Sequence, residues 1–340
     1  MALNYDRRLE NLQKRRYDNI LNESVLSKSF SASDLPKNVK YLMESMLPIG
    51  ESHNYKIITA AKNVQNHLEA GYNLHFQRAY RRQGSVETNT NIEVHSDIDL
   101  LNIIDRYYYT EPSLPIRFPY TASDPDEDIE ELRIQALQIL RKKYQHVDDS
   151  NEKCITIFNK NLRKEVDVVF AYWYHTEEYE RSNDEFHRGV RVRKRWARAD
   201  FPFAHIRQVN AKGGQTLDGS RKGIRLLKTL AADSEAKFKF LKSFQLTTIV
   251  HQIENGHFLH YSDREIKIGQ AISEKISQII NDSLYRCGIK SPNGCETPLT
   301  DDNIIKELKL IKADLDELIF DATSEIKTGW RVKDAMNIYG

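Results

Sequence analysis

Every strong strand signal in this chain falls between residues 97 and 174, and after about residue 203 none returns. The three stretches are DIDLLNII (97–104), CITIF (154–158) and EVDVVFAYWY (165–174). Their β-branched and aromatic side chains suit a pleated, half-buried surface. This confines the chain to an α+β fold, with a small mixed sheet in the first half and a helical lobe in the second. The 340 residues suit one large domain or two intimate lobes.

Helical periodicity fills the rest. Ile57, Ile58, Ala61, Val64, Leu68, Tyr72 and His75 predict one long amphipathic helix over 53–80, ending at Gln83-Gly84-Ser85. A helix over 125–145 is announced by Asp124 as N-cap, Pro125 in the first turn and Glu127 three residues after the cap. Further helices are predicted near 204–210, 219–232, 235–254, 263–286 and 301–325. Ser262 to Glu265 form a capping box, and Ile304, Leu308, Ile311, Leu315, Leu318 and Ala322 form an apolar stripe on the last helix. Residues 1–22 read as a charged, mostly exposed helix. The expected organisation is an N-terminal helical segment (1–52), a mixed core (53–202), a helical lobe (203–325) and a loose tail (326–340).

Composition excludes several classes. A net charge of +1 argues against a general nucleic-acid coating protein, though not against a local basic groove. Cys154, Cys287 and Cys295 form no C-x-x-C pair and imply a reducing compartment. The charged N-terminus has no apolar signal-peptide region, and no apolar run approaches the ~18 residues that cross a bilayer. A cytoplasmic protein without a membrane partner is expected.

The chemistry is concentrated in QGSVETNTNIEVHSDIDLL, residues 83–101. A Gly-Ser turn is followed by eleven loop residues and then by Asp-Ile-Asp opening a strand. Strand alternation sends Asp97 and Asp99 to one face. Two carboxylates side by side repel, and holding them in a cleft is costly without a cation. Oxygen ligands select Mg²⁺, with Mn²⁺ as a substitute. Asp167, whose neighbours Val166, Val168 and Phe170 point the other way, is the expected third carboxylate. Two ions about 3.5–4 Å apart can hold the attacking and leaving oxygens of an in-line phosphoryl displacement. Gly84 lets backbone approach a triphosphate, and Ser85 with nearby N–H groups donates to its oxygens. Lys222 and Lys228 in SRKGIRLLKTL (220–230) are the candidate phosphate contacts from the helical lobe, with Lys212 a weaker one.

Gly-Ser, a loop, Asp-x-Asp on a strand and a lone Asp on a later strand resemble the DNA polymerase β-like nucleotidyltransferase superfamily. QGS, SDIDL, the long helix before the turn and the R-h-L-K-x-L segment look like the bacterial cGAS/DncV-like nucleotidyltransferases of anti-phage signalling systems. The resemblance spans about residues 55–255. It implies an enzyme that joins ribonucleoside triphosphates, ATP and others, into a cyclic di- or trinucleotide read by a downstream effector. Asp97, Asp99 and Asp167 are then the catalytic metal ligands. Gln83, Gly84, Ser85, Lys222 and Lys228 hold the nucleotide, and two Mg²⁺ ions are the cofactor. The zinc-binding insertion of the animal cyclic GMP-AMP synthase is not legible here. Some relatives are conjugated through their C-terminus, which makes a conjugating partner at Gly340 a further expectation.

Blander readings compete at several places. RGVRVRKRWAR (188–198) reads first as a basic edge strand and second as a surface for a nucleic-acid activator or protein partner. DPDEDIEE (124–131) reads as a helix N-terminus favoured by its dipole. Tyr172, Trp173 and Tyr174 are core residues or, alternatively, a stacking surface for a base. The competing enzyme reading is an RNA-end or linear oligoadenylate nucleotidyltransferase. A scaffold with a relic site is a third reading, against which the intact carboxylate triad speaks.

Overall fold

The computed structural model describes residues 3–18, 23–24, 35–94, 96, 98–114, 123–159, 164–193, 198–259 and 264–327. In chain order the elements are helices α1 (Tyr5–Arg16), α2 (Lys37–Met46) and α3 (Glu51–Gly71), strands β1 (Arg78–Gln83) and β2 (Ile98–Thr110), and helix α4 (Pro125–Lys143). Strands β3 (His146–Asp148), β4 (Cys154–Asn159) and β5 (Lys164–His175), helix α5 (Glu177–Ser182) and strand β6 (Arg188–Val192) follow. The remainder is helical: α6 (Pro202–Gln215), α7 (Gly219–Asp233), α8 (Ser243–His251), α9 (Arg264–Asn281), α10 (Ser283–Gly288) and α11 (Asp302–Lys327). The chain divides into two compact units. One comprises residues 50–88 and 95–207, the other residues 1–49, 89–94 and 208–340.

The first unit is built on a mixed sheet of order β1-β2-β5-β4-β3, with β6 on β5. Only β2 and β5 run parallel. A parallel pair needs a crossover, and α4 lies on it in sequence. Alternation along β5 buries Val166, Val168 and Phe170 on one face. There they join Ile98, Leu100 and Ile104 of β2 and the apolar stripes of α3 (Ile57, Ala61, Val64, Leu68) and α4 (Ile129, Leu132, Ala136, Leu140). The opposite face carries a smaller core of Leu101, Ile103, Ala171, Trp173 and Val190. Asp124 caps α4, accepting from Asp126 N, with Pro125 opening the helix, as the sequence predicts.

The predicted helix over 53–80 stops at Gly71, and 78–83 is a strand. RAYRRQ contains no β-branched residue, so propensity hides it; tertiary pairing with β2 decides its conformation. Arginine-rich edges of this kind blunt unwanted strand addition. The basic stretch at 188–198 supplies β6, antiparallel to β5, in line with the edge-strand reading; residues 194–197 lie outside the described set. Tyr172 and Trp173 are 0% and 1% exposed, so they are core residues and not a stacking surface.

The helical unit packs around α7, which buries Ile224, Leu226, Leu227 and Leu230 in one core with residues of α2, α9 and α11. Gly223 lets α9 approach: a Cβ there would stand 3.0 Å from Ile272 Cδ1. The predicted helix over 235–254 begins only at Ser243. That over 263–286 is two helices, with Asp282 capping the second; the expected capping residues 262–263 lie outside the described set. The N-terminal helix is exposed on one side only, at Asp6, Glu10, Gln13 and Lys14. Arg8, Leu12 and Arg16 are buried, because partners distant in sequence satisfy the charges. Arg15 makes a bidentate contact to Asp233 at 2.6 and 2.8 Å, and Arg8 reaches Asp314 at 2.5 Å. Among the described residues no helix is long and apolar enough to cross a membrane.

Candidate active site

Asp99 and Asp167 are direct register partners on the parallel strands β2 and β5. Adjacent strands lie about 4.8 Å apart, so two carboxylates leave the sheet side by side on one face. Each is oriented by a neutral partner from the next strand outward. Gln83, paired with Asp99 at the end of β1, donates from Nε2 to Asp99 Oδ2 at 2.9 Å. Thr156 of β4, paired with Asp167, donates from its hydroxyl to Asp167 Oδ1. One row across four strands therefore reads Gln83, Asp99, Asp167, Thr156.

Neither carboxylate has a cationic side chain at salt-bridge distance among the described residues. Burial raises the Asp99 carboxyl above its ordinary range, the Gln83 hydrogen bond opposes this, and the Asp167 charge adds to the rise. Burial likewise pushes up the Cys154 thiol, and the Asp167 and Asp99 charges add to the effect. Half-buried, hydrogen-bonded and uncompensated oxygens are a donor set for a hard divalent cation.

Asp97 lies outside the described residues. Among the described residues no three His, Cys, Asp or Glu side chains are grouped to hold a metal; the expected triad requires Asp97. Gly84 follows Gln83 directly and has φ of +109°, a backbone conformation that side chains disfavour. The turn it opens is closed by Thr88, whose hydroxyl donates to Ser85 O at 3.2 Å. Gln83, Gly84, Ser85, Asp99 and Asp167 thus belong to one unit.

The lysines belong to the helical unit. Lys222 pairs with Glu265 at 2.7 Å. Lys228 donates to Thr90 O at 2.9 Å, and burial brings its ammonium down to about 8. Lys212 donates to Ile253 O and Asn255 Oδ1 at 2.6 and 2.9 Å. Sequence reasoning passed over Thr156. Its signal was present in CITIF, where alternation turns Thr156 away from Ile155 and Ile157, but the register that sets it opposite Asp167 is a tertiary fact.

No family model matches the chain. The cyclic dinucleotide synthase CdnE of Yersinia aleksiciae is 28% identical, over 92% of this chain and 87% of that protein. A c-di-GMP synthase of a Flavobacteriaceae species is 27% identical over 90% of each. Among solved structures, the STING-associated CdnE c-di-GMP synthase of Capnocytophaga granulosa superposes with a TM-score of 0.80 at 26% identity, covering 95% of this chain and 100% of that one. The fold is that of the polymerase β-like, cGAS/DncV-like nucleotidyltransferases, and the sheet with its helical remainder is the architecture expected from the sequence. In sequence and in fold the chain is similar to CdnE cyclic dinucleotide synthases, which are its homologues.

Proposed function

We propose that this chain is a metal-dependent nucleotidyltransferase that condenses ribonucleoside triphosphates into a cyclic dinucleotide with release of pyrophosphate, as a signal in bacterial anti-phage defence. The observation that carries this reading is the pairing of Asp99 with Asp167, two adjacent carboxylates with neutral orienting partners and no counter-charge among the described residues. The homology to CdnE synthases supports it independently.

Asp99, Asp167 and Asp97 would hold Mg²⁺, which when bound supplies activation of the acceptor hydroxyl and neutralisation of charge on the departing pyrophosphate. The chain's own part is positional. Gln83 fixes one Asp99 oxygen and leaves the other to bind outward. Thr156 does the same for Asp167. The Gly84 turn brings main-chain N–H groups and the Ser85 hydroxyl toward the donor triphosphate. In each condensation an acceptor ribose oxygen forms a bond to the donor α-phosphorus, the α–β bridging bond breaks, and the acceptor proton leaves to solvent. A second, intramolecular condensation closes the ring.

Three relatives named as c-di-GMP synthases make GTP the first substrate to try. A downstream effector that reads the product is the expected partner, in keeping with the STING association of one relative. The test is incubation with the four ribonucleoside triphosphates and Mg²⁺ or Mn²⁺, phosphatase treatment and mass spectrometry. A phosphatase-resistant cyclic product supports the reading and names its bases. Linear oligomers or extended RNA ends replace it with the linear-transferase reading.

A further inference from the structure

Arg225 on α7 is 0% exposed, and each of its three guanidinium nitrogens has a hydrogen-bond partner within the helical unit. Nε donates to Met46 O at the end of α2 (2.6 Å), one terminal nitrogen to Asn89 O (2.7 Å) and the other to Asp218 Oδ2. One turn further along α7, Lys228 donates to Thr90 O at 2.9 Å. At the other end of the same short segment, Val94 N donates to Arg15 O at 2.9 Å. Residues 89–94 therefore cluster with the helical unit, although the chain on both sides of them is part of the sheet unit. These six residues lie inside the eleven that separate Ser85 from Asp97. Residues 89, 90 and 94 of the stretch between the Gly-Ser turn and the carboxylate strand are thus each hydrogen-bonded within the helical unit.

The fastening is expensive. Asn89, Leu217 and Asp218 have φ of +54°, +47° and +69°, a conformation that costs non-glycine residues about 1–3 kcal/mol at its most strained and persists only where surroundings enforce it. A buried guanidinium answering two main-chain carbonyls carries a desolvation cost that an apolar side chain on α7 would avoid.

We propose that Arg225 is a positioning residue for the nucleotidyl transfer proposed above: by holding the Asn89 carbonyl it restrains residues 89–94, which in sequence connect the Ser85 turn to the Asp99 strand. The inference rests on that functional reading for its link to turnover, but not for the clamp itself.

Hydrogen–deuterium exchange and steady-state kinetics on the full chain test both parts. Arg225→Met is expected to raise amide exchange across 86–96 about tenfold while α9 and α11 keep their protection. Turnover per folded molecule should fall roughly tenfold to a hundredfold, with KM for the triphosphate moving less than about threefold. Arg225→Lys, which keeps the charge and reaches one acceptor, should recover part of the loss. Unchanged exchange in 86–96, intact turnover, or exchange raised evenly through the helical unit would each overturn the proposal. Should Arg225→Met not fold, Asp218→Asn loosens the guanidinium while keeping it, and must give the same pattern in weaker form. A wild-type chain that makes no product sinks the functional reading, while the exchange comparison still decides the clamp.

Discussion

The two units treat charge in opposite ways. In the helical unit, two buried arginine contacts meet opposite charge: Arg15 with Asp233 and Arg8 with Asp314. In the sheet unit, Asp99 and Asp167 stand side by side, and among the described residues their side-chain hydrogen bonds are to the neutral Gln83 and Thr156. The first arrangement serves folding, since removing one member of a buried pair leaves an uncompensated charge. The second raises the free energy of the isolated chain, a cost that a bound cation or a proton would relieve. Paired buried charge therefore belongs to the scaffold here, and half-buried charge without an opposite charge among the described residues belongs to the candidate site.

The largest expected effect separates these roles. Asp99→Asn or Asp167→Asn should lower product formation by about 10³ or more, because several kcal/mol of charge stabilisation is removed at tenfold per 1.36 kcal/mol. The melting temperature should hold or rise, since the change also removes a repulsion. A fall in both activity and melting temperature would erase the contrast. Asp233→Asn should do the reverse, costing about 3 kcal/mol by denaturant unfolding, with activity per folded molecule retained.

A smaller effect concerns pH. Burial holds the Lys228 ammonium at about 8, below its ordinary 10.5, so the folded state binds fewer protons than the unfolded chain between those values. The stability difference between wild type and Lys228→Met should therefore shift in favour of wild type as pH rises from about 8 towards 10.5. Parallel chemical-denaturation curves across that range check the sign; a flat difference would mean Lys228 is solvated. The smallest effect belongs to Lys222. Its part-buried pair with Glu265 at 2.7 Å predicts that Lys222→Ala costs about 1 kcal/mol or less. A tenfold loss of turnover would instead make it a phosphate contact.

The carboxylate face was legible because period-2 alternation in EVDVVF separates Asp167 from Val166 and Val168 whatever else the chain does. The α4 start was legible because Asp124 and Pro125 act through local backbone geometry. The reading failed where partners are far away in sequence. The charges of α1 look solvent-seeking until Asp233 and Asp314, more than 200 residues on, are folded against them. RAYRRQ looks like the end of a helix until β2 pairs with it.

Taken alone, the sequence singles out the candidate site residues: Gly84, Ser85, Asp97, Asp99 and Asp167 stand out by residue type and spacing, because turns and strand alternation are local. Tertiary structure decided what those residues face. The register sets Asp99 beside Asp167, Gln83 and Thr156, and hydrogen bonds from Arg225 and Lys228 bind residues 89–94 to the helical unit. Register and long-range hydrogen bonds depend on which segments meet, and no local pattern encodes that.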